Sequence, residues 1–523
     1  QHLRSILNLP LGNTDSKLAG IMVNLVGAEG HTGEVVYKNI EEILKIDSLN
    51  KVVFSNKGEY TYDKLIFTTG ARSIVPPIKG IESSNNWSTC RTMKDFDKIS
   101  KEALTKDANH ITVIGAGLIG VEVAENLIEA GKQVTLIEGG NEILPMWDAK
   151  FGYFAKTVLK EKGINVITST LVKEFEVSNN QITNIKLNET ESLNTDYVIM
   201  SIGIKPNTEL LLQEGAEHIG NGALKVNQYM ETSLKDIYAA GDNVSIKNLQ
   251  TNEYDYFPLG THSNKGGRAA GANSAGQNIR FKGAYKTAIV KIFDYTMART
   301  GMNASALNKL NITFKTVFTI TSSTPSYYPG QTDLMTEIFY DEKTKTILGA
   351  ELFGEIGVDK RIDVLSTAIF AKLKITDLSQ LDLAYAPPFS PAKDPIVVAG
   401  FVGENIESDN CNQLNIDDFK NYTATNNKGS YTLLDVRNQD EFIKGNIPNS
   451  INIPLPILRD NLNKLDPNKP IILYCQKGLR GYIARLILKH KHFKQVSSLA
   501  GGYKIWKMMD QPVTIPTILN TLN

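Results

Sequence analysis

A glycine-rich turn between a strand and a helix constrains the fold of this chain more than any other feature. Residues 111–127 combine an apolar run, a turn with three spaced glycines and a helical pattern. Gly115 permits the tight turn, Gly117 lets the backbone approach a pyrophosphate, and Gly120 lets the helix pack on the strand. The free N–H groups of the helix N-terminus favour phosphates. The run predicts a βαβ nucleotide site, with an ordinary glycine turn as the alternative.

An acidic residue at the end of the next apolar run refines this prediction. Glu138 follows Gly120 by 18 residues. A carboxylate in that position binds a ribose 2′-hydroxyl and disfavours a 2′-phosphate. The pattern therefore indicates NAD(H) rather than NADP(H).

Composition narrows the class of protein. A length of 523 residues suggests three or four domains, and 56 basic residues balance 56 acidic ones. We therefore expect no nucleic-acid partner and no anionic membrane surface, and no apolar run is long enough to span a bilayer. Cys90, Cys411 and Cys475 are widely separated, so we expect no disulfide framework, no metal site and a cytoplasmic location.

Two further segments, 61–80 and 231–243, frame the glycine turn in the sequence. The second is a buried strand that ends in Gly241 and Asp242. Gly241 permits close backbone approach, and Asp242 can bind a sugar-type hydroxyl at the carboxyl end of a parallel strand. The segments contain the motifs YDKLI followed by TGA, VIGAGLIGVE, YAAGDN, PLGTHSNKGGRAAG (258–271) and LDLAYAPPFSPAKDP (381–395).

With these motifs, roughly residues 35–400 resemble the two-dinucleotide-fold flavoprotein disulfide reductases, in the branch of coenzyme A disulfide reductases, NADH oxidases and persulfide reductases. The resemblance implies FAD and NAD(H), a homodimer, and electrons that pass from nicotinamide to flavin and then to a cysteine. It assigns the flavin ribityl chain to Asp242, beside Gly241. It assigns the NAD site to Gly115, Gly117, Gly120, Glu122, Glu138 and Gly203.

The same resemblance singles out three tyrosines. Tyr385, Tyr327 and Tyr328 match tyrosines that reach the partner subunit's active site. A phenol there can donate a proton to a leaving thiolate. The alternative is a buried tyrosine whose hydroxyl is satisfied within the fold.

The start of the chain departs from the family pattern. The family has another GxGxxG and a redox cysteine there, whereas Gly27, Gly30 and Gly33 lack the spacing and residues 1–33 contain no cysteine. We therefore expect an incomplete first nucleotide-binding unit and, for this chain, poor reductase activity. Cys90 follows the TGA strand, away from the redox position, and we interpret it as a structural thiol.

A second, independent pattern lies near the C-terminus. Residues 471–488 combine a buried strand, a six-residue loop from Cys475 to Arg480, and a helix. Backbone N–H groups around a thiol at such a junction stabilise a thiolate and an anionic persulfide. Lys477 and Arg480 add positive charge for an anionic sulfur donor. A buried strand-end cysteine is the alternative.

This pattern resembles a rhodanese domain over about 430–510. The resemblance makes Cys475 the persulfide-bearing nucleophile, with Arg480 in the catalytic loop. Asp435 and Arg437 in the DVR element are expected to form an ion pair that braces the loop. Cys411, in a polar segment, is interpreted as incidental.

The expected fold is α/β, with tandem Rossmann-like FAD- and NAD(P)-binding domains, an α+β dimerisation domain and an α/β rhodanese domain. The boundaries are 1–108 with 225–283 (FAD), 109–224 (NAD), 284–402 (dimerisation), 403–428 (linker) and 429–515 (rhodanese).

The expected function is NADH-dependent reduction of a small-molecule disulfide or persulfide, such as one of coenzyme A, coupled to sulfur transfer. An NADH oxidase or peroxidase is one alternative. A sulfurtransferase on an inactive flavoprotein-like scaffold is another.

Overall fold

Both strands and helices are present in the computed structural model, which describes residues 43–427 and 429–515. Gly27, Gly30 and Gly33, which do not match the family's first glycine motif, lie outside this range. The strands are β1 (Ile43–Asp47), β2 (Val52–Ser55), β3 (Gly58–Thr61), β4 (Leu65–Phe67), β5 (Ala71–Ser73), β6 (Trp87–Thr89), β7 (His110–Ile114), β8 (Gln133–Ile137), β9 (Asn165–Ile167), β10 (Glu174–Ser178), β11 (Gln181–Lys186), β12 (Ser192–Asn194), β13 (Tyr197–Met200), β14 (Ile204–Pro206), β15 (Leu224–Lys225), β16 (Ile237–Ala239), β17 (Val244–Lys247), β18 (Tyr254–Asp255), β19 (Ala288–Ile292), β20 (Tyr295–Gly301), β21 (Phe314–Ser322), β22 (Asp333–Asp341), β23 (Ile347–Gly354), β24 (Gln413–Leu414), β25 (Thr432–Asp435), β26 (Ile451–Asn452), β27 (Ile471–Tyr474) and β28 (Val496–Leu499).

The helices of the described residues lie between these strands. They are α1 (Met93–Lys98), α2 (Leu118–Glu129), α3 (Ala149–Glu161), α4 (Glu209–Gln213), α5 (Gly260–Ser274), α6 (Ala304–Lys309), α7 (Val358–Phe370), α8 (Pro395–Glu407), α9 (Ile416–Thr425), α10 (Gln439–Ile443), α11 (Leu479–His490) and α12 (Gly502–Met508). In the part of the chain that the structure describes, no helix has both the length and the apolar character that a bilayer crossing needs.

One compact unit contains the described residues 43–76, 89–96 and 201–286. In its described part, β16 pairs with β4 in parallel, and α5 packs on both strands. All three residues of β16 are buried, as expected for a strand covered on both faces. The strand ends just before Gly241, which places the Gly241–Asp242 turn at its carboxyl end.

Residues 201–224 lie in this unit, whereas the sequence analysis assigned them to the nucleotide domain. β14 pairs antiparallel with β5, so that Ile204 faces Ser73. Leu211 and Leu224 share a buried core with Phe67. Pairing and apolar burial therefore place this segment in the same unit as β4 and β5.

A second unit contains the described residues 77–88, 97–200, 287–427 and 429–515. Its first sheet has the order β6-β13-β7-β8-β9, and β13, β7, β8 and β9 are parallel. The last four residues of β7 are buried, and α2 packs on β7 and β8. This parallel sheet confirms the predicted βαβ unit.

The next sheet of this unit is antiparallel, with the order β19-β20-β23-β22-β21. Helix α7 packs on β20 and β23, and α8 packs on β21 and β22. Seven of the nine residues of β22 are buried, because helices and neighbouring strands cover it. An antiparallel sheet with helices against it confirms the predicted α+β domain.

The last sheet is parallel and has the order β24-β28-β27-β25-β26. The segment 403–428, expected to be a linker, contains the end of α8, strand β24 and helix α9. β24 pairs with β28, and Phe419 of α9 stacks edge-on against Trp506, with ring centroids 5.5 Å apart. The polar composition of the segment concealed the few apolar residues that attach it to the module.

Candidate functional site

The glycine turn after β7 has the geometry of a phosphate-binding turn. Gly115 has a φ of +98°, which favours glycine, and its N–H donates to the Ile137 carbonyl at 2.8 Å. Gly117 is the N-cap of α2. A Cβ added at Gly117 would meet no heavy atom within 4 Å, so the helix N-terminus faces open space. These residues fit a dinucleotide pyrophosphate.

Glu138 lies at this turn, as predicted. Its carboxylate accepts hydrogen bonds from the backbone N–H groups of Ala116 (2.8 Å) and Gly140 (2.7 Å). The two bonds fix the carboxylate beside the glycine turn, where a ribose hydroxyl would meet it.

Helix α2 carries two further residues that were predicted for the NAD site, one buried and one exposed. Gly120 is buried against the sheet, and Glu122 lies on the exposed side. Partial desolvation and the nearby Glu125 carboxylate raise the pKa of Glu122. Glu125 itself is buried and binds Lys291 and the backbone N–H of Phe293, which anchors α2 to β19. Sequence reasoning missed this anchor because its partners lie more than 160 residues away.

The second predicted nucleotide position lies in the other unit. Gly241 has a φ of +98°. Gly203, which was expected in the NAD site with Gly115 and Gly117, also lies in this unit, before β14, and has a φ of +106°. The Asp242 carboxylate pairs with Arg91 at 2.7 Å, and the Tyr256 hydroxyl donates to the Asp242 carbonyl. Asp242 retains 24% side-chain exposure, so a ligand hydroxyl can reach it. This fits the position expected for a flavin ribityl chain, and the pairing with Arg91 had no sequence signal.

Cys475 lies between β27 and α11, at the junction that the sequence predicts. The backbone N–H of Gly478, the N-cap of α11, donates to the Cys475 sulfur at 3.1 Å. The cysteine residue is only 2% exposed. A donor and a helix N-terminus directed at a sulfur stabilise negative charge on it. This contact supports nucleophilic chemistry rather than the alternative of an inert strand-end thiol.

The start of α12 holds the same loop from a second side. The N–H of Tyr503 donates to the Cys475 carbonyl at 2.8 Å, and that of Lys504 donates to the Gln476 carbonyl at 3.0 Å. A Cβ added at Gly502 would lie 2.2 Å from the Cys475 carbonyl oxygen. Glycine at 502 therefore permits the close backbone approach that fixes the loop.

Asp435 and Arg437 form the predicted ion pair. Both are at most 1% exposed, and Arg437 Nη2 lies 2.7 Å from Asp435 Oδ2. Arg437 also donates to the Gly445 carbonyl, and its guanidinium lies 3.9 Å from the centre of the Tyr503 ring. Because Asp435 pairs with Tyr474 across the parallel strands, the ion pair braces the strand ends beside the loop.

The two cationic side chains of the loop have carboxylate partners. Arg480 binds both carboxylate oxygens of Glu441, at 2.5 and 2.8 Å. This hydrogen bonding lowers the pKa of Glu441. Lys477 binds Asp333 at 2.5 Å. The positive charge expected for an anionic sulfur donor is thus present but paired.

The three predicted tyrosines lie in loops of the dimerisation domain. Tyr327 and Tyr328 lie between β21 and β22, and Tyr385 lies before α8. Tyr327 is 74% exposed and Tyr385 is 51% exposed, whereas Tyr328 is half-buried. A hydrogen bond with Tyr385 raises the pKa of Tyr327. Tyr327 and Tyr385 therefore do not match the alternative of buried, satisfied hydroxyls. Their catalytic role stays a prediction.

A buried arginine anchors the segment that carries Tyr385. Arg361 on α7 is 1% exposed and binds Asp394 at 3.0 Å and Ser390 at 3.0 Å. Lys360 donates to the carbonyl of Ala384, the residue before Tyr385. These contacts fix the backbone on both sides of the tyrosine.

An acidic cluster in the second unit was not apparent from the sequence. The carboxylates of Asp148, Glu337 and Glu351 lie within 4.8 Å of one another. Lys150 pairs with Glu337, and Arg299 lies 4.0 Å from Glu351. Burial raises the pKa of Glu351 to about 8. Asp148 lies 189 residues before Glu337 in the sequence, which hid its association with the two glutamates.

The remaining two cysteines have no nucleophilic setting. Burial raises the pKa of Cys90, and it raises that of Cys411 to about 11. Both effects disfavour the reactive thiolate.

Comparison with protein families identifies three domains in this chain. Residues 16–255 match the pyridine nucleotide-disulphide oxidoreductase family, and 287–395 match its dimerisation domain. Residues 418–509 match the rhodanese-like domain.

Individual proteins extend the match. An NADH oxidase of Enterococcus faecalis is 30% identical over 392 residues, which cover 71% of this chain and 86% of the relative. An NAD(P)H sulfur oxidoreductase (CoA-dependent) of Pyrococcus abyssi is 32% identical, covering 68% and 80%. A coenzyme A disulfide reductase of Staphylococcus aureus is 31% identical, covering 70% and 83%.

Two solved structures match most of the chain, including the C-terminal module. Reduced Bacillus anthracis CoADR-RHD superposes with a TM-score of 0.85 at 34% identity, covering 90% of this chain and 84% of that one. An NAD-dependent persulfide reductase from A. fulgidus gives 0.82 at 35% identity, covering 89% and 84%. The chain therefore belongs to the pyridine nucleotide-disulphide oxidoreductase family and carries a rhodanese-like domain at its C-terminal end.

Proposed function

We propose that this protein is an FAD- and NADH-dependent reductase of small-molecule persulfides or disulfides, and that its rhodanese-like domain carries sulfane sulfur on Cys475. The hydrogen bond from the Gly478 N–H to the Cys475 sulfur is the observation on which the sulfur assignment rests. The same chain has a dinucleotide turn with Glu138 bound across it. One protein thus combines a source of electrons with a site for sulfur.

The proposed net reaction balances with NADH as the reductant. A persulfide RSSH with NADH and a proton yields the thiol RSH, hydrogen sulfide and NAD⁺. A disulfide RSSR yields two thiols. Bound FAD would supply the two-electron step between nicotinamide and sulfur. Coenzyme A is a candidate for R, because relatives of this chain are named for it.

The residues of this chain have separate tasks in the proposal. Gly115, Gly117 and Glu138 bind and orient the nucleotide, and Asp242 binds the flavin. Cys475 attacks the outer sulfur of a donor, forms a persulfide and releases the rest of the donor as the leaving group. None of the cysteines occupies the position that the family gives to its redox cysteine.

A homodimer is part of the proposal. Residues 287–395 match a dimerisation domain, and Tyr327, Tyr385 and Phe389 of this region expose large aromatic rings. We infer that a second copy covers them and that the two tyrosines serve the partner's active site. We also infer a cytoplasmic location from the free cysteines of the described chain.

The first test is the visible absorption spectrum of the purified protein, before and after anaerobic NADH. We expect flavin absorption that bleaches, followed by slow recovery when a persulfide is added, because none of the cysteines occupies the family's redox position. Oxygen uptake with NADH and no thiol substrate would favour an NADH oxidase instead, the name of one relative. A colourless protein would contradict the proposed FAD-dependent reductase activity.

The sulfur-transfer half has its own test and matched control. Cys475→Ser should abolish persulfide-to-cyanide sulfur transfer, and Cys411→Ala should retain it, because Cys411 lies outside the loop. Unchanged transfer in Cys475→Ser would contradict the assignment of the nucleophile.

A further inference from the structure

Two lysines on the segments that frame Cys475 share one carboxylate from another domain. Lys477 lies in the loop, and Lys504 lies in α12. Asp333, the first residue of β22 in the dimerisation sheet, binds Lys477 through Oδ1 at 2.5 Å and Lys504 through Oδ2. The Asp333 side chain is 14% exposed. The carboxylate therefore connects the dimerisation sheet to both segments that hold the cysteine.

This carboxylate is charged in the folded protein. Burial alone would raise the pKa of Asp333, but the hydrogen bonds and charges of Lys477 and Lys504 lower it below its ordinary value. On the other side of the loop, Arg480 is held by both oxygens of Glu441. Every cationic side chain named for this loop thus has a carboxylate partner.

The pairing determines how the loop interacts with an incoming anion. A small dianion gains most from unpaired cations near its binding position, since the Coulomb energy scales with the product of the charges. A persulfide with one ionised sulfur on an uncharged group depends less on them. Neutralised cations therefore weaken selection for dianions.

We propose that Asp333 is a specificity-determining residue for the sulfur donor of Cys475. By holding Lys477 and Lys504, it disfavours thiosulfate-like dianions and favours organic persulfides in which the ionised sulfur is the only charge near the reacting bond. The phosphates of a coenzyme A persulfide lie at the other end of the molecule, far from that bond. This inference rests on the proposed sulfur-transfer function of Cys475. It assigns to the dimerisation domain a part in choosing the substrate of the rhodanese-like domain.

Both donor reactions follow the same bond changes. The Cys475 thiolate attacks the outer sulfur, a bond forms between the two sulfurs, and the original sulfur–sulfur bond breaks. Its electron pair leaves on sulfite when thiosulfate is the donor, or on a thiolate when a persulfide is the donor. Only the charge of the donor and of its leaving group differs.

The test compares thiosulfate with the persulfide of 2-mercaptoethanol, with cyanide as acceptor, in the full-length protein. Asp333→Asn keeps the shape of the side chain and removes its charge. We expect kcat/KM for thiosulfate to rise about tenfold and that for the persulfide to change less than threefold. The thiosulfate reaction of the variant should also slow more steeply with added salt, because screening acts on the unpaired cations.

A double variant separates charge from structure. Asp333→Asn combined with Lys477→Met should lose the gain in thiosulfate activity. Asp359→Asn removes an exposed carboxylate from α7 of the same domain and should change neither donor. An unchanged ratio of the two donors in Asp333→Asn, or an equal loss with both, would overturn the proposal.

Failure of this inference is distinct from failure of the proposed function. If wild-type protein transfers sulfur and Cys475→Ser does not, the function of Cys475 holds whatever Asp333→Asn does. If wild-type protein transfers sulfur from neither donor, the proposed function fails first.

Discussion

The buried ion pair between Asp435 and Arg437 leads to a prediction whose size follows from its burial. Arg437 makes three side-chain contacts of 2.7–3.1 Å with the carboxylate of Asp435, and both residues are at most 1% exposed. Asp435→Asn keeps the shape but leaves a buried guanidinium without a counter-charge. Breaking a buried pair in this way costs about 3–5 kcal/mol.

The remaining contacts of Arg437 place the expected loss at the lower end of that range. The guanidinium keeps its hydrogen bond to the Gly445 carbonyl and its contact with the Tyr503 ring. We therefore expect the module to lose about 3 kcal/mol of unfolding free energy. Since each 1.4 kcal/mol is a factor of ten, the opening equilibrium should rise roughly 100-fold.

Hydrogen exchange of the β27 amides, read by mass spectrometry, measures this opening within the multidomain chain. Asp440→Asn is the matched control, because Asp440 is an exposed residue in the first turn of α10 and should change exchange little. Acceleration of β27 exchange by less than tenfold in Asp435→Asn would refute the reasoning that an uncompensated buried charge dominates the cost.

Three further predictions concern other parts of the chain. Burial raises the pKa of Glu351 to about 8, above roughly 4.3 for an unfolded glutamate, so the folded state holds a proton that the unfolded state has lost. The stabilisation it gives should therefore decline as pH rises from about 4 to about 8, and Glu351→Gln should flatten that part of a plot of melting temperature against pH. Glu138→Ala should lower kcat/KM for NADH about tenfold in steady-state assays and reduce the preference for NADH over NADPH, since the ribose loses its acceptor. Equal kcat/KM values for NADH in the variant and the wild-type protein would contradict that role. Phe389 is 71% exposed, and Phe389→Asp should convert a dimer to a monomer in light scattering, because an unpaired charge resists burial; a persistent dimer would exclude this face.

Local sequence patterns predicted the parts of the fold and of the site that depend on neighbouring residues. The glycine turn and the Cys475 loop each lie within a short stretch, so spacing indicated them. The Asp435–Arg437 pair is also local, and the resemblance to a rhodanese domain implied it. Contacts across the fold had no such pattern. Asp333 lies 144 residues from Lys477, and neither residue indicates the other in the sequence.

The same limit applies to residues 403–428, which the sequence analysis expected to be a linker. Its charged and amide side chains are typical of a linker, yet Gln413 makes two hydrogen bonds with the backbone of Phe318 in the dimerisation sheet. Most of the described residues of this segment are at least partly buried, and its polar composition could not predict which side chains dock.

Strand β24 determines where the C-terminal module can be separated from the rest. A fragment that begins at residue 430, where the composition changes, would lack β24 and α9 and would leave the edge of β28 unpaired. Unprotected strand edges promote aggregation between molecules. A fragment that begins at Asp409 retains the strand and the ion pair of Asp409 with Arg485. Recombinant expression of the isolated module should therefore succeed from the earlier start and yield inclusion bodies from the later one.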